Sequence, residues 1–160
     1  MDQNDTNSLA KEKLYFLAII PPAPIYEEAL AQKQYFKEHY KSKASLNSPP
    51  HITLHMPFRW KEQDEDELST HLHNFSRNNQ PVTIKLNNFS SFPPRVIFIN
   101  VILNQELENL QKNLKRFCKR VLNLFNADYK EVPFHPHLTV ALKTKKKTNY
   151  FLAWGEYENK

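Results

Sequence analysis

His51-Ile52-Thr53-Leu54 returns 86 residues later as His137-Leu138-Thr139-Val140. Each copy reads His-apolar-Thr-apolar inside a short apolar run, the alternation of a half-buried strand. His and Thr each supply 7 of the 160 residues. At those frequencies two matches by accident are on the order of one in a thousand. Over 51–58, alternation places His51, Thr53 and His55 on one face, with Ile52, Leu54, Met56 and Phe58 on the other. Two imidazoles in the same local setting point to one shared site.

Outward from the motifs, the chain punctuates itself with Pro and Asn, because Gly155 is its only glycine. A Walker loop and a dinucleotide fingerprint both need several glycines to bring backbone close to phosphate, so both are excluded. Any phosphate must be held by side chains. Residues 1–13 read as a flexible arm, and 14–160 as a single domain. Strands are expected at 14–20, 51–58, 82–91, 95–102 and 137–142. Helices are expected at 25–40, 62–76, 104–126 and 146–157, with a polar loop over 41–50. Strand, helix and motif strand recur in the same order in each half, which predicts a duplicated lobe rather than a solenoid.

Composition narrows the class. Hydrophobic residues make up 40% of the chain, with 11 Phe, enough for a packed core. The run Leu14–Ile20 is too short to span a bilayer, and residues 1–13 lack an apolar signal core. A cytoplasmic protein that does not engage membranes is expected. A lone Cys118 forbids an internal disulfide and is expected in the core. Residues 1–80 carry 9 Lys/Arg against 11 Asp/Glu, whereas residues 81–160 carry 13 against 6. The basic second half suits an anionic ligand such as a nucleotide or RNA, or is a solvated lysine-rich surface.

The residue types suit in-line displacement at phosphorus. One group takes a proton from the attacking water and another gives one to the leaving oxygen. Imidazoles near their ordinary pKa of about 6.5 perform either task. A Thr two residues along the same face aims a hydroxyl at the non-bridging oxygens. Zinc held by His51, His55, His135 and His137 is the rival reading. The motif strands lack Asp and Glu, so no metal or other cofactor is expected.

With Pro49-Pro-His-Ile-Thr-Leu-His-Met-Pro-Phe58, Pro94-Arg-Val-Ile-Phe-Ile-Asn-Val101 and Phe134-His-Pro-His-Leu-Thr-Val-Ala141 as context, the chain resembles the 2H phosphoesterase superfamily. Its bacterial 2′-5′ RNA ligase-like branch is the nearest match. The resemblance covers residues 14–157. It implies an α+β, two-lobed, pseudo-twofold duplicated fold, with antiparallel sheets facing a central cleft and helices outside. It implies His51 and His137 as the catalytic pair and Thr53 and Thr139 as phosphate-binding. It also implies metal-independent chemistry on a 2′,3′-cyclic or 2′-5′ linked nucleotide or RNA end. The alternative is a non-catalytic nucleotide- or RNA-binding module that keeps the fold. A monomer is expected. Two departures stand out. Leu142, followed by Lys143, occupies the place where many relatives carry Arg. Relatives also usually continue with at least one more strand, so a pared-down or shortened second lobe is expected.

Further substrate-binding candidates are Arg95, His55, His135 and Lys143, with Lys145, Lys146 and Lys147 as possible RNA-steering charges. Phe92, Phe134, Tyr15 and Trp60 are candidates for stacking on a base, although any one such ring is more often core than platform. His39, His71 and His73 fall in helical stretches and are expected at the surface.

Overall fold

A computed structural model describes residues 11–128, 132–143 and 147–160. Five strands form one antiparallel sheet in the order β1-β2-β5-β4-β3. The strands are β1 (Glu12–Ile19), β2 (Ile52–Lys61), β3 (Lys85–Phe92), β4 (Val96–Ile102) and β5 (His137–Leu142). Among the described residues the α-helices are α1 (Ile25–Tyr40), α2 (Glu65–Arg77), α3 (Gln105–Val121) and α4 (Lys147–Tyr157). β1 starts inside the expected arm, with Glu12 opposite Lys61 and Lys13 opposite Trp60. Residues 1–10 of that arm lie outside the described residues.

The duplication is visible in the register. Ile19 pairs with Ile52 and Ala18 with Thr53; in the second half Ile99 pairs with Leu138 and Phe98 with Thr139. The two ladders fuse at a single rung, Ile52 opposite Leu138. The expected pair of sheets is thus one sheet with a seam at the motifs. The helices cross the seam. α1, from the first half, packs on β5, and α3, from the second, packs on β2. Each half supplies the apolar helix face that covers the other's motif strand, so neither could bury its core alone.

Helix α3 is the most strongly amphipathic. It buries Leu107, Leu114 and Cys118. The Asn104 side chain caps it by accepting from Leu107 N–H at 2.8 Å. It ends at Val121, five residues before the periodicity suggests. Asn123 takes a left-handed backbone (φ 56°), and Leu124 N–H closes back on the Cys118 carbonyl at 3.0 Å. The expected helix over 62–76 begins as a short 3-10 turn, Glu62–Asp64, before α2. The loop over 41–50 contains a second one, Ala44–Asn47.

Candidate active site

Each motif histidine follows a proline, Pro50 before His51 and Pro136 before His137, and both prolines are buried. Proline fixes its own φ and pushes the residue before it to extended backbone. Two residues back, each chain therefore presents a carbonyl to the ring. His51 Nδ1 lies 2.7 Å from the Pro49 carbonyl, and His137 Nδ1 lies 2.7 Å from the His135 carbonyl. A carbonyl can only accept, so in each ring Nδ1–H donates and the neutral form leaves its lone pair on Nε2. Two histidines far apart in sequence thus share one tautomer and one anchor.

The seam brings them together. His51 and Thr53 flank Ile52; His137 and Thr139 flank Leu138. With Ile52 opposite Leu138 in an antiparallel pair, His51 is carried toward Thr139 and Thr53 toward His137. Ile52 and Leu138 are buried beneath, while all four polar residues are half-buried on the other face. Aromatic rings brace both imidazoles. Phe16 lies 4.7 Å from His51 between ring centroids, Phe98 4.9 Å from His137, and Phe92 meets His137 edge-on at 5.2 Å.

Burial is the main influence on both rings and holds them below the ordinary imidazole value. The anchoring carbonyls of Pro49 and His135 oppose it. His51 is lowered further by the ammonium of Lys33, and His137 by the imidazoles of His135 and His51. The last effect is a direct sign that the motif histidines share one electrostatic environment.

His55 is lowered too, again mainly by burial. Unfolded imidazoles therefore take up protons below about pH 6.5 that these three folded ones refuse, so stability rises with pH through that window. It is fully present above about 6.5 and is lost as pH falls through the folded values. The urea midpoint is expected to drop between pH 7 and pH 5. A level midpoint would count against neutral buried rings.

A cavity of about 380 Å³ opens beside His137. Thr53, Met56, Phe92, Phe134, His135 and Asp128 are among its walls. Of the sequence candidates, His135, Phe92 and Phe134 thus reach the site. His55 does not. β2 carries two extra residues relative to β1, at Leu54 and between His55 and Phe58. The extra residue at Leu54 reverses the alternation between Thr53 and His55, so His55 is 1% exposed and packs edge-on against Phe58. Pro57, unable to donate to a ladder, falls in the second bulge. Met56 N–H donates instead to the Ala127 carbonyl at 2.9 Å.

Arg95 and Lys143 are exposed at the far end of the β4–β5 ladder from His137, and neither lines the cavity. Lys147 begins α4; Lys145 and Lys146 lie outside the described residues. Tyr15 and Trp60 are engaged elsewhere, with Glu65 and the Asp64 carbonyl. Cys118 is buried, and burial pushes its thiol up to about 11. Among the described residues no three His, Cys, Asp or Glu side chains converge as a metal site, and no helix is long and apolar enough to cross a membrane.

Sequence reasoning missed Phe16, Phe98 and Asp128. Nothing local marks them, because they reach the site from other strands and a loop. It also missed the role of Pro50 and Pro136, although a proline directly before both histidines was a legible signal.

The sequence profile of the 2′-5′ RNA ligase superfamily matches residues 21–155. The chain belongs to that superfamily. A Geobacillus kaustophilus protein named "Putative phosphoesterase" is 32% identical over 128 residues, 79% of this chain and 67% of its own. A Bacillus licheniformis protein of the same name is 30% identical over 131 residues, 81% of this chain and 70% of its own. Among solved structures, apo LigT from E. coli superposes with a TM-score of 0.55 at 25% identity, covering 83% of this chain and 72% of LigT. TT0787 of Thermus thermophilus shares the fold at a TM-score of 0.58 and 19% identity, covering 82% and 74%. The superfamily match spans both motifs and every strand except β1.

Proposed function

We propose that this member of the 2′-5′ RNA ligase superfamily is a phosphoesterase. It opens 2′,3′-cyclic phosphodiesters or cleaves 2′-5′ linkages at nucleotide or RNA ends, using two histidines and no metal. The observation that carries the reading is the twin anchoring of His51 and His137, which leaves both Nε2 atoms as the working positions. A base with a bare Nε2 takes the proton of the attacking water as its oxygen bonds to phosphorus. The opposite imidazolium gives its Nε2 proton to the departing ribose oxygen as the P–O bond breaks. Water thus supplies OH to phosphorus and H to the alcohol, and the two rings exchange protonation states. Thr53 and Thr139, flanking the same rung, offer hydroxyls to the non-bridging oxygens as charge builds there. A nucleotide ligand is supported by a relative: LigT from E. coli, 24% identical to this chain, has been solved with 3′-AMP. Phe92 and Phe134, in the cavity beside His137, are placed to contact a base.

The test is turnover of 2′,3′-cyclic nucleotides, cyclic-phosphate-ended RNA and 2′-5′ dinucleotides in EDTA. Because both imidazoles are held below about 6.5, the free protein rarely carries the required proton at higher pH. The kcat/KM profile is expected to be bell-shaped, with its maximum below about pH 6.5 and a fall above it. Binding without turnover across the panel would instead identify a nucleotide-binding module. A rate that is abolished by EDTA and restored by metal would overturn the two-histidine mechanism.

A further inference from the structure

Lys33 is a charged side chain to which the chemistry above gives no task. It lies within α1 and is 1% exposed. Its Nζ donates to the Ser45 carbonyl at 2.9 Å and to the Ser48 carbonyl at 3.0 Å. Those carbonyls belong to the segment that leads into Pro49, whose own carbonyl receives the His51 Nδ1–H. The chain of contacts is therefore short and physical: ammonium to segment, segment to Pro49, Pro49 to imidazole. A buried ammonium is costly unless it is hydrogen-bonded, and the buried Ser45 and half-buried Ser48 carbonyls are costly to leave without a donor, so ammonium and carbonyls satisfy one another. Burial pushes this ammonium down to about 8, so it is still largely charged at neutral pH. The groups that face His51 are Lys33 from α1, the imidazole of His137 from β5 and the apolar ring of Phe16 from β1. Of the first two, Lys33 carries the standing charge.

We propose that Lys33 is a positioning residue for His51: its ammonium ties the Ser45 and Ser48 carbonyls to α1 and so holds the Pro49 carbonyl against the imidazole. The role rests on His51 acting as an acid–base group, but its structural part is measurable without turnover. Lys33 touches no substrate; it acts through the 45–49 segment. Removing the charge frees His51 to protonate more easily. Removing the hydrogen bonds frees the Pro49 carbonyl to turn away, and the ring loses its fixed tautomer.

The experiment is an NMR titration of the His51 and His137 Cε1–H resonances in the wild-type chain, Lys33→Met and Lys33→Gln. In Lys33→Met the charge that lowers the His51 midpoint and the hold on the Pro49 carbonyl that raises it are both lost, so that midpoint is expected to lie below the Lys33→Gln one, and the His137 midpoint is not expected to rise. On any substrate the wild type turns over, kcat is expected to fall about tenfold to a hundredfold, with KM changed far less. Lys33→Gln keeps a donor without the charge. It is expected to raise the His51 midpoint above that of the wild type and to retain more of kcat. A folded Lys33→Gln with an unmoved His51 midpoint overturns the proposal. If the variants do not fold, the wild-type His51 resonance decides, since it is expected to show a second inflection at about pH 8 as Lys33 loses its proton. Absence of that inflection overturns the proposal equally. A wild-type chain that turns over nothing removes the acid–base reading of His51 but leaves the titration to decide whether Lys33 sets that ring.

Discussion

His51→Ala and His137→Ala are each expected to lower kcat by about 10²–10⁴-fold, with KM nearly unchanged. In the proposed mechanism each ring is one end of a single proton exchange, so removing either leaves the other without its counterpart. The double variant should then be little worse than the worse single one, as groups that act as a unit are strongly non-additive. His55→Gln is the comparison that gives this result meaning. His55 is buried away from the site, its Nδ1 2.8 Å from the Met56 carbonyl. It has the same residue type and nearly the same position in the motif strand, yet it should leave kcat unchanged in protein that remains folded. Steady-state turnover of a 2′,3′-cyclic nucleotide reads all four proteins. Full activity in either single motif variant would remove that histidine from the mechanism.

Leu138→Ala is expected to destabilise the fold by about 2–5 kcal/mol, read as a lower urea midpoint. Leu138 is 0% exposed and forms the one rung that joins the two ladders. Its truncation opens a cavity where α1 and β5 meet beneath the motifs, a region hemmed in by the crossed helices and slow to collapse. Leu152→Ala on α4, where the side chain is 67% exposed, should stay within about 0.5 kcal/mol of the wild type. Equal effects from the two substitutions would mean that the seam contributes nothing special. Because the same rung sets His51 toward Thr139 and Thr53 toward His137, residual folded Leu138→Ala should also lose activity.

Much of this was legible from residue order. The doubled motif located the histidines, alternation assigned their face, and helical spacing found α1 and α3 within a few residues. Those signals are short-ranged: a strand shows a period of two and a helix one of 3.6 wherever they pack. The failures are equally specific. His55 obeys the alternation on paper but not in the sheet, because one extra residue in β2, Leu54, reverses it. α3 ends at Val121, where the left-handed Asn123 just beyond outweighs an apolar pattern that runs on. Lys143 follows the second motif in sequence and Arg95 precedes the Val96–Ile99 strand, but the ladder carries both to the end away from His137.

The sequence by itself determined the repeated strand–helix–strand order, the His and Thr pairs and the lack of a glycine-rich phosphate loop. Tertiary structure alone decided that the two ladders share one rung, that each half's helix covers the other's motif strand, and that the ammonium of Lys33 ties down the segment leading into Pro49 and His51. The physical reason is range. Dihedral preference and alternation act between neighbours, whereas bulges, strand order and the satisfaction of buried polar groups are settled by residues far away in the chain. The motif His51-Ile52-Thr53-Leu54 names its chemistry locally, but its partner 86 residues away reaches it only through the fold.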